Sequence, residues 1–351
     1  MNIDAMAPTK PNRPRATFGL IISANYENEG DLGARIAEHR EQVGLARQAG
    51  FTSVVCNQHF LMHPVSSLAT IPYLASVIDV SGDMRLAIGV ALLPLLSPVL
   101  LVEEVATLDW LSGGRAILGL AMGYRPPEFA AMGVSLHDRL GRFTEGLAVM
   151  KAIWSADPTW SFQGKHYRYE GLPGGLKPKQ RPHPPLWIAA DVDAAVRRAG
   201  RLGASWYPNP RAGLASLRRQ VAVYEQALRE HGHQTPEIFP IRRELFIAPS
   251  EQGARRTAIP HLERQLAQYE SWGQFEAMPE ADQPARAFEE HEIPDAFLVG
   301  SPPSLAEQIE RYVEALGVNH FVVKIQWDGM SHRQVMRSIE LIGAELAPRL
   351  A

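Results

Sequence analysis

The chain has very little cysteine: Cys56 is the only one among 351 residues. A single cysteine forms no internal disulfide and excludes the zinc sites built on paired cysteines, which fits a reducing cytoplasm. Because Cys56 lies at the end of an apolar run, we interpret it as a small core residue rather than a reactive thiol. The sequence therefore predicts a cytoplasmic protein.

No charge of one sign dominates the chain, since Lys and Arg total 35 against 38 Asp and Glu. This balance gives no basic surface for nucleic acid or for an anionic membrane. The longest apolar run, "AIGVALLPLLSPVLLV", is shorter than a membrane span and is interrupted by Pro94, Ser97 and Pro98. We therefore expect neither a nucleic-acid partner nor a membrane segment, and a small molecule is the default partner.

Several well-known site motifs are missing from the sequence. No GxGxxG follows a predicted strand, and GxxxxGK[ST], GxSxG and HExxH do not occur. Rossmann dinucleotide binding, P-loop chemistry, α/β-hydrolase chemistry and zincin chemistry therefore lack support. The pair His231 and His233 indicates a polar turn after a helix, and we predict no metal site.

What the sequence does contain is an alternation of short apolar runs with longer amphipathic stretches, which is typical of βαβ units and a parallel sheet. A glycine stands at the helix-to-strand joint in "RQAGFTSVV", "RRAGRLGASWY" and "VEALGVNHFVV", where a left-handed helix end suits it. The strand count predicts an α/β fold of the (β/α)8 TIM-barrel type, and a doubly wound open sheet is the alternative. The eight runs are Phe18–Ser23, Ser53–Asn57, Arg85–Leu93, Ala116–Met122, Leu186–Ala190, Ala204–Asn209, Arg242–Ala248 and His320–Gln326.

The predicted domain organisation is simple. Residues 1–16 are rich in proline and polar residues and are expected to form a loose arm, and residues 17–351 are expected to form one barrel domain. Two segments, about 155–184 and 249–296, interrupt the alternation. Insertions of this kind usually lie on the face that carries the active site, as lids or as packing for neighbouring subunits.

Polar residues directly after a buried strand are the first candidates for function, because active sites of parallel barrels lie at the carboxyl ends of the strands. In "TSVVCNQHF" the chain passes from an apolar strand to Asn57, Gln58 and His59. The alternative interpretation is that these three residues only end the strand and contact water. Further segments of the sequence favour function.

Those segments resemble one family, the bacterial luciferase-like, flavin-dependent monooxygenases. The resemblance is carried by "AGFTSVVCNQHF", by the block from Arg85 to Phe129, by "PPLWIAADVDAAVRRAGRLG" and by "FLVGSPPSLAEQIERYVEALGVNHFVV". It extends over about residues 18 to 345 in ordered blocks. It implies a luciferase-like TIM barrel with FMN across its mouth.

The resemblance also implies a reaction. Reduced FMN, supplied by a separate flavin reductase, would be used with dioxygen to oxygenate a small organic substrate. His59 falls on the catalytic histidine of the family, and an imidazole with an ordinary pKa of about 6.5 can give or take a proton near neutral pH. Gln58 stands where the family more often has Glu, so the carboxylate that would tune this histidine is missing there.

By the same resemblance, a cis peptide bond is expected between Gly89 and Val90, at the end of the third strand. Gly89 would let the flavin ring approach the backbone. The alternative is a glycine kept for packing within a strand. Asn57 and Tyr124 are further expected contacts to the cofactor.

The phosphate end departs from the better-known members of the family. Met122 occupies the position after the fourth strand that can hold a phosphate-binding arginine. Asp191 and Asp193 flank the turn after the fifth strand, and a carboxylate about 6 Å from a phosphate charge repels it by nearly 3 kcal/mol at an effective dielectric constant of about 20. We therefore expect Asp191 to accept from ribityl hydroxyl groups instead.

Replacement phosphate ligands are visible in "YPNPRAG", where Asn209 and Arg211 end the sixth strand. The guanidinium of Arg211 could supply the fork that Met122 lacks, and Arg125 is a second candidate. Each arginine could instead be a solvated loop charge.

Two other functions remain open on the sequence. The same fold could bind the deazaflavin F420 and transfer hydride without oxygen, or it could be a non-catalytic flavin-binding protein. His59 argues against the second, because a storage protein needs no imidazole on the reactive face. Members of the family are often dimers, so a homodimer is expected, and the identity of the substrate is not specified by the sequence.

Overall fold

A computed structural model describes residues 15–22, 25–27, 31–63, 65–155, 158–271 and 293–350. In this part of the chain nine strands form one sheet in which every pairing is parallel. They are β1 (Thr17–Ile22), β3 (Ser53–Cys56), β5 (Arg85–Leu92), β6 (Ala116–Ala121), β9 (Leu186–Ala190), β10 (Ser205–Pro208), β11 (Pro240–Ile247), β12 (Phe297–Gly300) and β13 (His320–Lys324). The hydrogen-bonded order is β10-β9-β6-β5-β3-β1-β13-β11-β12.

Two antiparallel strand pairs stand apart from this sheet. One pairs β2 (Asn25–Glu27) with β4 (Val65–Ser67). The other pairs β7 (Thr159–Gln163) with β8 (Arg168–Pro173) and makes up much of the predicted insertion at about 155–184.

Helices connect the strands of the main sheet, as βαβ units require. The glycines predicted at helix ends have left-handed backbones, with φ values of 82° at Gly50, 65° at Gly203 and 70° at Gly317. The helices are α1 (Leu32–Gln48), α2 (Thr70–Ala75), α3 (Ile78–Ser81), α4 (Pro98–Leu111), α5 (Pro126–Ala131), α6 (Arg139–Ser155), α7 (Asp193–Arg201), α8 (Leu214–Glu230), α9 (Glu251–Ser271), α10 (Pro302–Leu316) and α11 (His332–Leu341). Within the described ranges, no helix has the length and apolarity needed to cross a bilayer.

The sheet is curled around an inner apolar cluster. Successive side chains of a strand point to opposite faces, so Val54 and Cys56 of β3 pack outward against helices while Val55 points inward. Seven strands each contribute one residue to this inner cluster, namely Ile21, Val55, Ala87, Ile117, Trp187, Tyr207 and Val322. A flat sheet could not bring these side chains together.

The amino end of the curl is closed by a buried histidine, His320 of β13. Its Nδ1 lies 2.8 Å from Thr17 Oγ1 and its Nε2 lies 2.8 Å from Ser53 Oγ. Because the Thr17 hydroxyl donates to the Asn319 carbonyl, it accepts from Nδ1–H, and Ser53 donates to Nε2. Burial lowers the pKa of His320 to about 4, so the ring is neutral.

All eight predicted strands are present, and most of their ends differ from the prediction by one or two residues. The prediction of an α/β fold built on a parallel sheet is confirmed, whereas an exact eight-stranded barrel is not, because the described sheet has a ninth strand, β12. β11 is long enough to pair with β13 along Pro240–Glu244 and with β12 along Glu244–Ile247. The four residues of β12 were not counted among the strands because they directly follow the predicted insertion at 249–296.

Parts of the predicted organisation lie outside the described residues. Only Arg15 and Ala16 of the predicted arm at residues 1–16 are described. Of the predicted insertion at 249–296, residues 249–271 and 293–296 are described, and most of them belong to α9.

Candidate active site

The carboxyl ends of the parallel strands meet at one rim of the curled sheet, where sites are built in folds of this kind. The two-residue period of a strand carries the inward direction of Val55 on to Asn57, of Tyr207 on to Asn209 and of Trp187 on to Asp191. The predicted site residues at the ends of β3, β9 and β10 therefore lie on one rim.

His59 follows β3 on this rim and is paired with a carboxylate from another element. Its Nδ1 lies 3.1 Å from Oε1 of Glu128 in the first turn of α5. The same oxygen accepts from the backbone N–H of Phe60 at 2.9 Å. Arg125 Nη1 lies 3.5 Å from it, and only 1% of the Glu128 side chain is exposed. The histidine loop is thus anchored to α5.

The carboxylate of Glu128 is ionised in this setting. Burial by itself would raise the pKa of Glu128, but the hydrogen bond and charge of His59, the Phe60 N–H and the Arg125 charge bring it below its ordinary value. An ionised carboxylate only accepts hydrogen bonds. His59 therefore carries a proton on Nδ1, and in the neutral ring Nε2 is the basic nitrogen.

Sequence reasoning missed Glu128, although the block from Arg85 to Phe129 that carries the family resemblance contains it. The two prolines after Arg125 start a helix, and an acidic residue in a first turn is favourable there for any helix. The contact with His59 spans 69 positions and depends on the fold. Gln58, where the sequence lacked the expected carboxylate, accepts from the Leu92 N–H at 3.1 Å and ties the same loop to β5.

The peptide bond between Gly89 and Val90 is cis, as predicted. A Cβ atom on Gly89 would lie 2.4 Å from Val55 Cγ1, so this position needs glycine for the approach of β5 to β3. Gly119 of β6 is similar, since a Cβ there would lie 2.4 Å from the carbonyl oxygen of Ile88. These two glycines therefore let β5 pack closely against both of its neighbours, β3 and β6.

Below the rim, two buried donors have no hydrogen-bond partner within the described part of the chain, the Tyr207 hydroxyl and the Trp187 indole N–H. The two rings lie 5.3 Å apart between centroids. Burial raises the pKa of Tyr207, so its hydroxyl stays protonated. Tyr207 lies two residues before Asn209 of the rim, whereas the Trp187 ring lies toward the amino end, 6.0 Å from the ring of His320.

A charged cluster also lines the inside of the curl, and sequence reasoning missed it. The Glu244 carboxylate is fully buried, 3.5 Å from Arg242 Nη2 and 3.9 Å from Lys324 Nζ. Lys324 also donates to Gln265 of α9 at 2.7 Å. The signal in the sequence is "PIRRELFI", where three consecutive charged residues, Arg242 to Glu244, interrupt an apolar strand. Arg242 and Glu244 share one face of that strand.

Asn209 and Arg211, the predicted cofactor contacts, lie in the turn after β10, and hydrogen bonds fix this turn. Asn209 Oδ1 accepts from the backbone N–H of Arg211 at 2.9 Å. The fully buried guanidinium of Arg243 donates to the carbonyls of Asn209, Pro210 and Ala212. Asn209 therefore shapes this turn through both its side chain and its carbonyl.

The two aspartates after β9, Asp191 and Asp193, both make contacts with α8. Asp193 pairs with Arg219 of α8, so its charge is compensated. The carbonyl of Asp191 accepts from Gln220 at 2.8 Å.

The residues after β6 divide between the rim and the helical layer. Tyr124 is partly buried, and Met122 packs against the outer core. Arg125 donates to the Phe60 carbonyl and to Met62 Sδ, which places it beside His59. In the described residues, no three His, Cys, Asp or Glu side chains are grouped to hold a metal ion.

Comparison with known proteins connects this chain to one family. The sequence profile of that family, described as luciferase-like monooxygenase, matches residues 16–320. An FMNH(2)-dependent dimethylsulfone monooxygenase from Pseudomonas putida is 27% identical over 353 residues, covering 93% of this chain and 94% of the relative. The oxygenase component of a flavin-dependent trigonelline monooxygenase from Acinetobacter baylyi is 23% identical over 321 residues, 87% of each chain.

Solved structures share the fold. Monooxygenase RslO1 from Streptomyces bottropensis has a TM-score of 0.83 at 23% identity, over 95% of this chain and 100% of that one. The oxygenating constituent of 3,6-diketocamphane monooxygenase from Pseudomonas putida, in complex with FMN, has a TM-score of 0.77 at 21% identity, over 95% and 98%. An F420-dependent tetrahydromethanopterin reductase from Methanopyrus kandleri has a TM-score of 0.71 at 19% identity, over 96% and 100%.

Proposed function

The chain belongs to the luciferase-like monooxygenase family, and on that premise we propose that it uses reduced FMN and dioxygen to oxygenate a small organic substrate. The observation that carries the proposal is the pair formed by His59 and the buried Glu128 at the strand-end rim. Two similar proteins are named as FMNH(2)-dependent or flavin-dependent monooxygenases. We take the fold as a luciferase-like (β/α)8 barrel extended by β12, with residues 17–351 as one domain.

The residues at the rim fit a flavin. Gly89 and Gly119 let β5 lie close to β3 and β6 beside the proposed position of a flat ring. The Tyr207 hydroxyl, buried and unpaired within the described residues, suits a polar atom of such a ring. Asn57, Tyr124, Asp191 and Asn209 are the remaining proposed contacts from the strand ends.

The bound reduced flavin would supply the electrons that activate dioxygen. The chain's own contribution is proton control at His59. Glu128 fixes the proton on Nδ1, so Nε2 takes up or gives back a proton at the reacting side. The carboxylate stabilises the ring when it is charged, and the apolar inner cluster keeps water from the floor of the site.

F420-dependent hydride transfer is the second candidate, favoured by the likeness to an F420-dependent reductase at a TM-score of 0.71. A non-catalytic flavin-binding role is the third candidate. The buried carboxylate that orients His59 argues against it, because a protein that only stores flavin needs no oriented imidazole. A separate flavin reductase is proposed as the partner, since one relative is named as an oxygenase component. A homodimer and a cytoplasmic location remain part of the proposal.

The test starts with anaerobic titration of the protein with FMN, FAD and F420, followed by oxygen consumption with a flavin reductase and a panel of small substrates. We expect FMN to bind most tightly and His59→Ala to lose substrate-dependent turnover while retaining FMN. His63→Ala is the matched control, because His63 is an exposed residue of the same loop. Preference for F420 with no oxygen consumption, or full turnover by His59→Ala, would overturn the proposal.

A further inference from the structure

We propose that Arg198 of α7, assisted by Arg139 at the start of α6, binds the phosphate of the flavin in place of the arginine that Met122 does not provide. This inference rests on the proposed function, because it concerns the cofactor of the same site. It assigns the phosphate to a helix residue rather than to Arg211 or Arg125 at the strand ends.

The first support is the position of the Arg198 guanidinium. Its Nη1 lies 4.0 Å from Met122 Sδ, directly after the carboxyl end of β6. Helical side chains lean toward the amino end of their helix. Arg198, in the second turn of α7, therefore reaches back toward the rim from which α7 begins. The guanidinium carbon of Arg198 lies 6.0 Å from the centre of the Phe143 ring, which restricts where the guanidinium can move.

The second support is a convergence of two guanidinium groups on one turn. Arg139 Nη1 donates to the carbonyl of Gly123 at 3.3 Å, and Gly123 is the residue next to Met122. Within the described residues neither arginine has a carboxylate at ion-pair distance. The acidic groups that precede or face them are paired elsewhere: Asp138 is near Lys165, Asp193 is near Arg219, and Glu230 is near Arg197.

The third support is the charge balance. Partial burial, with the charge of Arg201 adding to it, lowers the pKa of Arg198. A half-buried cation without a counter-ion is stabilised by a bound anion. A guanidinium also matches phosphate oxygens in a two-pronged hydrogen bond, and the amino end of α7 adds a favourable dipole. The pairing of Asp193 with Arg219 compensates the carboxylate that sequence reasoning expected to repel a phosphate.

The experiment compares FMN with riboflavin, which has the same ring and ribityl chain but no phosphate. Dissociation constants of both are measured by fluorescence quenching for the full chain and for Arg198→Met, Arg198→Lys and Arg139→Met. We expect Arg198→Met to weaken FMN about 10- to 100-fold, the range for one lost charge-assisted bond, and to leave riboflavin within about twofold. Arg198→Lys should fall between the two, because lysine keeps the charge but loses the fork.

Arg197→Met is the matched control, since its guanidinium is exposed and lies near Glu230 on the other side of α7. It should bind both flavins as the unaltered protein does. If Arg198→Met binds FMN normally, or if Arg211→Met alone abolishes the preference for FMN over riboflavin, the assignment is wrong while flavin binding stands. If the unaltered protein binds neither compound, both this assignment and the proposed function fall.

Discussion

Glu128→Gln should slow the flavin-dependent reaction without disturbing the structure. Glutamine has the shape of glutamate, and its Oε1 can still accept from His59 Nδ1–H and from the Phe60 N–H, which lie 3.1 and 2.9 Å from the present carboxylate oxygen. The negative charge is removed, and the second oxygen, which has no hydrogen-bond partner within the described residues, becomes an NH2 group. The step in which His59 becomes charged therefore loses its counter-ion.

The size of the effect follows from that contact. A hydrogen bond to a charged group contributes about 1.5–3 kcal/mol, and each 1.36 kcal/mol is about tenfold in rate. With Glu128 almost fully buried, solvent screens the charge little. We expect the proton-dependent step to slow by about 10- to 150-fold.

The assay is stopped-flow absorbance of enzyme-bound reduced FMN mixed with oxygen, with and without substrate, over a range of pH. Melting temperature and FMN affinity are measured in parallel, and both should stay near those of the unaltered protein. Glu145→Gln is the control, because that carboxylate accepts only backbone N–H bonds from Lys165, His166 and Tyr167. Rates within twofold of normal in Glu128→Gln would refute the role given to this carboxylate.

Three further predictions concern stability. The pKa of His320 is about 4 in the folded chain against 6.5 in an unfolded chain. The stability that the neutral ring contributes is therefore complete above pH 6.5, and about 3 kcal/mol of it is lost as the pH falls to 4. Urea unfolding from pH 7.5 to 4 should show this loss, and His320→Gln should make the free energy of unfolding depend less on pH. Gly119→Ala should cost about 1–3 kcal/mol, because its Cβ would lie 2.4 Å from a backbone oxygen, whereas Gly44→Ala in α1 meets nothing and should be neutral or stabilising in thermal melts. Arg243→Met should cost about 3 kcal/mol or more in the same melts, because it leaves the carbonyls of Asn209, Pro210 and Ala212 without their buried donor; a loss below 1 kcal/mol would contradict this.

The sequence predicts the strands well because a buried parallel strand is a short apolar run, and the period of its side chains follows from backbone geometry. The left-handed backbones at Gly50, Gly203 and Gly317 were also predictable, because a glycine just after a helix adopts that conformation without a steric cost. β12 was not, because four residues beside a long insertion carry too little local signal. The cis bond at Gly89 was predicted from family resemblance alone.

The site was only partly predictable, because its central contacts join distant segments. His59 stands out as a polar residue after a strand, but its partner Glu128 comes from a helix after another strand. Arg198 is one of several arginines in its helix, and only the packing of α7 against α6 shows that it reaches Met122. Local pattern identifies the rim, whereas the partners across it require the fold.

The inner cluster limits which substitutions this protein can accept during evolution. Each of seven strands places a single side chain in it, so enlarging any one of them crowds the remaining six. The inner cluster therefore tolerates little variation in side-chain size. New substrates are therefore more readily accommodated by altering the loops above the inner cluster than by altering the cluster itself.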